Sequence, residues 1–220
     1  MLIGGGGHAA VVAEAAALAG VRVGGFLDDD PAAPLAVLEF RLPHPFPGPP
    51  CLGPLRDLSR LARRDWIIAL GQITPRRGII EALSRANDSN LVPGSPITII
   101  HPCACISPSA TIGPGCFIGP LALVHSRARI GPHVIINSGA IVEHDCAIEE
   151  NVHIAPGAVL GGNVSVGEDT LIGLGSRVLP GITVGPRCTI GAGAVVTRPV
   201  RAGATVTGVP AREHGQPAKP

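Results

Sequence analysis

Every sixth residue from Ile100 to Val196 is Ile, Val or Leu, which makes seventeen positions in one unbroken phase. This period matches neither the 3.6-residue repeat of an α-helix nor the two-residue alternation of an ordinary strand. It is typical of a left-handed parallel β-helix, in which three six-residue rungs form one triangular coil and the aliphatic side chain points inward. The next residue is frequently glycine, so we expect a corner with positive φ at that position. Most enzymes that contain such a β-helix are acyltransferases.

The residues before the repeat have the pattern of a small α/β domain. An apolar strand over 1–3, a helix over 8–19 and a strand over 21–27 make a βαβ unit, which implies a parallel sheet. Further along we predict a surface loop over 31–54, a short helix over 56–64, a buried strand over 66–70, a helix from the capping residue Thr74 to about Ala86, and a linker over 87–96. The predicted organisation is a Rossmann-like domain over 1–92, then an all-β left-handed β-helix with a C-terminal tail over 98–220.

The overall composition limits the possible partners. The net charge is +1, aromatic residues make up 2% and tyrosine is absent, which argues against a nucleic-acid-binding surface. Lysine occurs once, at Lys219, so the side chains that bind an anion must be arginines. No stretch approaches the ~18 apolar residues of a membrane span, and the N-terminus has no charged leader. We therefore expect a cytoplasmic protein with neither a membrane nor a nucleic-acid partner.

The cysteines predict neither disulfides nor a metal site. The sequence has no CxxC pair, and two thiolates at Cys103 and Cys105 do not complete a zinc site. We expect all six to be small buried residues: Cys51, Cys103, Cys105, Cys116, Cys146 and Cys188.

A glycine-rich turn over 4–9 lies between the first strand and the first helix, and Asp28 follows about 20 residues later. This pattern matches the sequence fingerprint of a dinucleotide-binding site. In such a site, the glycines let a phosphate approach backbone amides, and the helix N-terminus favours an anion. The domain has room for roughly half of the strands of a dinucleotide fold. A nucleotide or nucleotide-sugar site, an NAD site and a plain tight turn remain as alternatives.

A second group of polar residues lies within the repeat and contains Asn137, His144, Asp145 and His153. Histidine titrates near neutral pH, and one with an acidic neighbour can serve as a general base. The nine residues from His144 to His153 are half a coil, so the two rings lie apart in a single prism. If three prisms pack around a threefold axis, His144 can face a neighbour's His153, and we expect a homotrimer with interfacial sites. The alternative is two corner histidines at the surface.

The motifs together resemble the sugar acetyltransferase family typified by PglD, NeuD and perosamine N-acetyltransferase. The match follows the family's order over nearly the whole chain. It is carried by the segments 4–9, 26–29, 68–71, 137–146, 153–157 and 208–212. The resemblance implies transfer of an acetyl group from acetyl-CoA to an amino or hydroxyl group of a sugar, commonly one that is linked to a nucleotide.

The resemblance also implies roles for individual residues. His144 would be the general base, Asp145 the acid that increases its basicity, and His153 a contact to the thioester end of acetyl-CoA. Asn137 would line the acceptor pocket. The other implied contacts are the backbone at Gly162, Leu174 and Ala192 for the pantetheine arm, and Gly6, Gly7, His8, Asp28, Asp29 and Gly71 for the nucleotide part of the acceptor.

Two further expectations concern residues to which the resemblance assigns no role. The phosphates of CoA need cations, and the candidates near the last coils are Arg198, Arg201 and Arg212. His125 precedes His144 by one coil and one residue, and we expect it to be a solvated corner histidine, with bordering the site as the alternative.

The predicted function is N-acetylation of a nucleotide-linked 4-amino sugar by direct transfer from acetyl-CoA, without a metal. One alternative is O-acetylation of a sialic-acid-type sugar, and another is a non-catalytic nucleotide-sugar sensor. A third is a zinc lyase of the γ-carbonic-anhydrase type, built on His125, His144 and His153. The spacings of 19 and 9 residues between these histidines disfavour the zinc lyase.

Overall fold

The computed structural model describes residues 1–40, 46–88 and 94–213. The chain divides into two compact units, Met1–Pro102 and a second that begins at Cys103. The first unit has a small core around Ile3, Leu27 and Ile68. The core of the second is one column of aliphatic side chains.

The first unit is built on a three-stranded parallel sheet with two helices. Its elements in chain order are β1 (Leu2–Ile3), α1 (Gly7–Leu18), β2 (Phe26–Leu27), a 3₁₀ turn (Pro34–Val37), β3 (Glu39–Phe40), β4 (Phe46–Pro47), a 3₁₀ turn (Leu58–Leu61), β5 (Ile67–Ile68), α2 (Ile73–Asp88) and β6 (Ile99–Ile100). Strand β1 lies between β2 and β5 and pairs with both in parallel. The predicted βαβ unit is therefore confirmed.

Several predicted boundaries in this unit are wrong. The second strand is only β2, because the chain reaches the sheet after Gly25, whose φ is 157°. The helix predicted over 56–64 is the 3₁₀ turn over 58–61, since the backbone becomes left-handed at Arg63. Helix α2 begins at Ile73, so Thr74 lies inside the first turn and is not the cap; the first helical bond runs from the Arg76 N–H to the Gln72 carbonyl.

Two other predicted segments are only partly described. The 31–54 segment holds the first 3₁₀ turn and the antiparallel pair β3 and β4, with residues 41–45 outside the described part. Of the predicted linker over 87–96, residues 89–93 also lie outside it.

The second unit is the predicted left-handed parallel β-helix. Its strands are β7 (Cys105–Ile106), β8 (Thr111–Ile112), β9 (Phe117–Ile118), β10 (Leu123–Val124), β11 (Arg129–Ile130), β12 (Ile135–Ile136), β13 (Ile141–Val142), β14 (Ala147–Ile148), β15 (His153–Ile154), β16 (Val159–Leu160), β17 (Ser165–Val166), β18 (Leu171–Ile172), β19 (Arg177–Val178), β20 (Thr183–Val184), β21 (Thr189–Ile190), β22 (Val195–Val196), β23 (Thr205–Thr207) and β24 (Arg212–Glu213). From β7 to β22 each strand pairs in parallel with the strand one coil away, for example Leu123 with Ile141. At the end of the β-helix, β24 pairs antiparallel with β23.

The repeated aliphatic residues fill the inside of the prism, as predicted, from Ile118 to Val196. At the start of the series, Ile106 and Ile112 also pack against this core, but they are only partly buried, because an end coil of the β-helix has a neighbouring coil on one side only. At Ile100 the prediction is wrong. Ile100 is 38% exposed, and its neighbour Ile99 is the buried residue of β6.

The prediction of positive φ directly after the aliphatic residue is also wrong. Positive φ occurs three residues after the aliphatic residue, at every sixth position from Gly115 to Gly193. The glycines directly after the aliphatic residue have no positive φ; they are Gly113, Gly119, Gly131, Gly161, Gly167, Gly173, Gly185 and Gly191. These positions are small because the next coil is too close. A Cβ added at Gly167, for example, would lie 2.5 Å from the Pro186 nitrogen.

Half of the cysteines are buried as predicted. Cys116, Cys146 and Cys188 occupy the small interior position of their rungs. Cys103 and Cys105 are exposed and Cys51 is only partly buried, so the prediction is wrong for these three. Cys105 starts strand β7, where the first residue points outward and the second, Ile106, points inward.

Candidate active site

The predicted base and its acid lie together at one corner of the β-helix, directly after β13. Asp145 occupies the corner position with positive φ, 62°, which Asp adopts more readily than most residues. His144 Nδ1 lies 2.8 Å from Asp145 Oδ2. Because an ionised carboxylate only accepts hydrogen bonds, Nδ1 carries the proton and Nε2 keeps its lone pair. The His144 side chain is 53% exposed, which leaves it open to a substrate.

Asp145 is also held by an arginine that sequence reasoning missed. Arg127 donates from Nε to Asp145 Oδ1 at 2.7 Å and from Nη2 to Asp145 Oδ2 at 2.8 Å. This guanidinium, and after it His144, holds the pKa of the Asp145 carboxyl well below its ordinary range. The carboxylate is therefore ionised at any pH at which the imidazole could act as a base.

The other edge of the His144 ring rests on Gly162, one coil further along. A Cβ added at Gly162 would lie 2.6 Å from both Cε1 and Nε2 of His144. Glycine is needed here for this close approach, which places Gly162, an implied acetyl-CoA contact, beside Nε2 of the predicted base. His125 also borders the ring: the ring centroids are 6.4 Å apart in an edge-on arrangement. His125 is exposed, as expected, but it is also a neighbour of His144.

Asn137 and His153 form a separate pair on the sheet that contains β12 and β15. The Ser138 N–H donates to Asn137 Oδ1 at 2.8 Å, which fixes the orientation of the amide. Asn137 Nδ2 then faces His153 Nε2 at 3.2 Å and donates to it. His153 is 9% exposed. His144 lies after β13, which belongs to a different sheet.

The three candidate arginines for CoA line one pocket of about 300 Å³ where the last strands end the β-helix. Arg201 is paired with Glu213, to which its Nε donates at 2.9 Å, and this guanidinium lowers the pKa of the Glu213 carboxyl. Arg212 donates to the Ala211 carbonyl, and Arg198 is exposed. Leu174 and Ala192, two implied pantetheine contacts, are exposed one coil apart at another corner.

The carboxylate of Asp28 holds the glycine turn of the first unit through hydrogen bonds. Asp28 Oδ2 accepts the Gly5 N–H at 2.7 Å and Oδ1 accepts the Asp30 N–H at 2.9 Å. A Cβ added at Gly6 or Gly7 would meet no other atom within 4 Å, so there is open space above the turn.

The remaining nucleotide-site candidates lie near this turn or along a pocket of the same unit. His8 follows the turn in α1, and a Cβ added at Gly71 would lie 3.7 Å from the His8 Cβ. Asp29 Oδ1 accepts the Leu55 N–H at 3.1 Å, and Asp29 lines a pocket of about 580 Å³ with Leu55 and Arg56.

Neither a metal cluster nor a membrane helix occurs in the described part of the chain. Within residues 1–40, 46–88 and 94–213, no group of three or more His, Cys, Asp and Glu could hold a metal ion. Over the same residues, neither helix is long and apolar enough to cross a membrane.

Three protein-family models match the chain in succession. Residues 1–83 match the PglD N-terminal domain, residues 127–162 the bacterial transferase hexapeptide (six repeats), and residues 163–198 the hexapeptide repeat of succinyl-transferase. Among solved structures, a histidine-to-alanine mutant of GDP-perosamine N-acetyltransferase from Caulobacter crescentus, in complex with CoA and GDP-perosamine, is 35% identical. The match covers 98% of this chain and 96% of that chain, with a TM-score of 0.85. The chain belongs to this family of sugar acetyltransferases.

Two further solved structures are similar to the chain. The acetyltransferase domain of PglB from Neisseria gonorrhoeae, in complex with acetyl coenzyme A, is 37% identical over 96% of this chain and 97% of that chain, with a TM-score of 0.81. WeeI from Acinetobacter baumannii is 28% identical over 86% and 84%, with a TM-score of 0.70. No curated protein matches the chain significantly.

Family membership decides between the functional alternatives. The chain is a CoA-dependent acetyltransferase, as the resemblance implied. The sensor and zinc-lyase alternatives are therefore not supported. The residue that sequence reasoning missed, Arg127, had a readable signal: it precedes Asp145 by 18 residues, which is one full coil.

Proposed function

We propose that this acetyltransferase transfers the acetyl group of acetyl-CoA to the amino group of a nucleotide-linked 4-amino sugar, with His144 as the general base. The observation that carries the proposal is the position of His144, whose Nδ1 is bonded to Asp145 while the Nε2 edge lies over Gly162. The Caulobacter relative binds CoA and GDP-perosamine, and the Neisseria relative binds acetyl coenzyme A. Both ligands are of the proposed classes.

The proposed step is a direct transfer. The amine nitrogen attacks the thioester carbonyl carbon and forms the amide bond, while His144 Nε2 accepts the proton that the amine loses. The C–S bond breaks, and the sulfur takes up the proton from the His144 imidazolium, so that CoA leaves as the thiol and the base is regenerated. The Asp145 carboxylate stabilises the imidazolium that forms. General-base catalysis of this kind contributes about 10²–10⁴-fold.

The cysteine nearest to the dyad in sequence supports transfer without an acyl-enzyme. Cys146 points into the prism, where its Sγ donates to the Gly161 carbonyl at 3.2 Å. Burial raises the pKa of this thiol, and a buried thiol of that kind is a poor nucleophile.

The parts of acetyl-CoA and of the nucleotide-linked acceptor have separate candidate contacts. We assign the CoA phosphates to the pocket of Arg198, Arg201 and Arg212, because arginine binds phosphate through a planar fork of donors. The pantetheine arm and thioester are assigned to His153, Gly162, Leu174 and Ala192. The nucleotide is assigned to Gly6, Gly7, His8, Asp28, Asp29 and Gly71, and Asn137 to the acceptor pocket. The open space above the glycine turn supports the nucleotide assignment.

A cytoplasmic homotrimer is part of the proposal. Exposed leucines on the β-helix support an interface between copies, since Leu121 is 74% exposed, Leu174 59% and Leu179 45%. Light scattering should give the mass of three chains, and a catalytically active monomer would contradict the trimer.

A matched pair of acceptors tests the reaction. Acetyl-CoA is supplied with a nucleotide-linked 4-amino sugar, or with the same molecule carrying a hydroxyl in place of the amine, and thiol release is measured. Guanosine, uridine and thymidine carriers are compared. We expect release with an amine on one of these carriers. Release with the hydroxyl compound alone would make the enzyme an O-acetyltransferase, and release with neither would overturn the proposed substrate class.

A further inference from the structure

The corner that carries Asp145 is stacked on an equivalent corner that carries Arg127. Both residues have positive φ, 59° for Arg127 and 62° for Asp145, and they lie one coil apart. The arginine reaches along the stack and binds the carboxylate with two donors. Its own N–H donates to Ser109 Oγ at 3.1 Å, which ties its backbone to the coil before it.

One oxygen of Asp145 serves two partners. Oδ2 accepts both Arg127 Nη2 and His144 Nδ1 at 2.8 Å, while Oδ1 accepts Arg127 Nε. A fork of two parallel donors fixes the plane of a carboxylate, which a single donor cannot do. The rotation of the Asp145 carboxylate, and with it the direction of the bond to His144, is therefore determined by Arg127.

We infer that Arg127 is a positioning residue of the acetyl transfer: it clamps Asp145 so that the carboxylate stays directed at His144 Nδ1 and the base nitrogen stays at Nε2. The inference rests on the proposed general-base role of His144. Arg127 would thus act together with His144 and Asp145 without contacting the substrate itself.

Two substitutions separate the fork from the charge. Arg127→Lys keeps the charge but loses the two-donor fork, and Arg127→Met loses both. Arg187→Met is a matched control, because Arg187 also has positive φ, 55°, is 63% exposed against 64% for Arg127, and pairs with Glu168 at 3.3 Å. It makes the same kind of surface pair away from the dyad.

We expect both Arg127 variants to lose kcat by on the order of ten- to a hundredfold, with KM for both substrates within about twofold of wild type. Arg187→Met should behave like wild type. The inference is overturned if Arg127→Met keeps wild-type kcat, or if Arg187→Met loses as much kcat.

A control variant and a spectroscopic measurement make the outcome decisive. If His144→Ala is inactive while the Arg127 variants are normal, this inference fails and the proposed function stands. If His144→Ala is active, the proposed function itself fails.

Nitrogen-15 NMR reports the His144 tautomer without any activity assay. Wild type should protonate Nδ1 and Arg127→Lys should give a mixture; an unchanged tautomer in Arg127→Lys would contradict the clamp.

Discussion

The imidazole of His144 lies against the α-carbon of Gly162, one coil further along the β-helix, so close that a Cβ at residue 162 would be 2.6 Å from Nε2. The regular stacking of coils thus sets the position of Nε2, the nitrogen of the proposed base, relative to the backbone assigned to the thioester. The geometry of the proposed site is built by the β-helix itself, without a specialised loop at this corner.

Replacing Gly162 by Ala should displace the His144 ring and lower kcat by up to about a hundredfold, because a misplacement of this size disrupts the geometry of proton transfer. Steady-state kinetics of both single variants and of the Gly162→Ala, His144→Ala double variant form the test. In the His144→Ala background the second substitution should cost little further activity. Fully additive losses would mean that Gly162 acts independently of the base.

The arginine pocket predicts the affinity for acetyl-CoA. Arg198→Ala combined with Arg212→Ala should raise KM for acetyl-CoA by about tenfold, since charge-assisted bonds to phosphate are lost. Glu213→Gln should lower that KM, because it frees Arg201 from its carboxylate partner. Arg177→Ala is the control, since this exposed arginine donates to the Gly175 carbonyl and does not line the pocket.

The same kinetics with acetyl-dephospho-CoA identify the phosphate involved. If the pocket binds the 3′-phosphate, the double variant should lose little affinity for this analogue, which lacks that group. An unchanged KM for acetyl-CoA itself in the double variant would contradict the assignment of the pocket.

The Asp145 cluster predicts how stability depends on pH. The folded-state pKa of Asp145 is depressed by Arg127 and then by His144, so its contribution is present above the unfolded value of about 3.9 and is lost as pH falls through the folded value. The melting temperature of wild type should exceed that of Asp145→Asn at pH 5–7, and this difference should shrink steadily as pH falls below about 4. A difference that is independent of pH would contradict the ion pair.

Direct transfer predicts that thiol reagents leave the enzyme active. Iodoacetamide should label Cys103 and Cys105, which are exposed, and spare Cys146 and Cys188, whose thiols are buried and have raised pKa values. Peptide mass mapping alongside the activity assay provides the measurement. Labelling of Cys146 with matching loss of turnover would indicate a thiol intermediate.

The period of six was sufficient to predict the β-helix because the interior selects one residue type at one position of every rung. The corners were harder to predict. Residues such as Leu121 and Arg127 occupy positive φ, although neither is a usual turn residue, because the stacked coils impose that conformation. Glycine marked the close approach of neighbouring coils, and the sequence alone does not distinguish that cause from a left-handed turn.

The site was predictable where the contact is between sequence neighbours, as for His144 and Asp145. The contacts of Arg127 and Gly162 depend on stacking by 18 residues, so the fold has to be assigned before they can be read. In the first unit, the pattern of apolar residues gave the sheet but not the length of its strands. Gly25 delays the second strand, although the aliphatic residues before it suggest an earlier start.

The role proposed for His144 is that of the general base in an acetyl transfer to an amino sugar. The most direct measurement is kcat of His144→Ala with acetyl-CoA and the amino-sugar nucleotide that wild type turns over, together with the Kd for acetyl-CoA. We expect kcat to fall by about 10²–10⁴-fold with the Kd unchanged. A variant that keeps near wild-type turnover would contradict this role of His144.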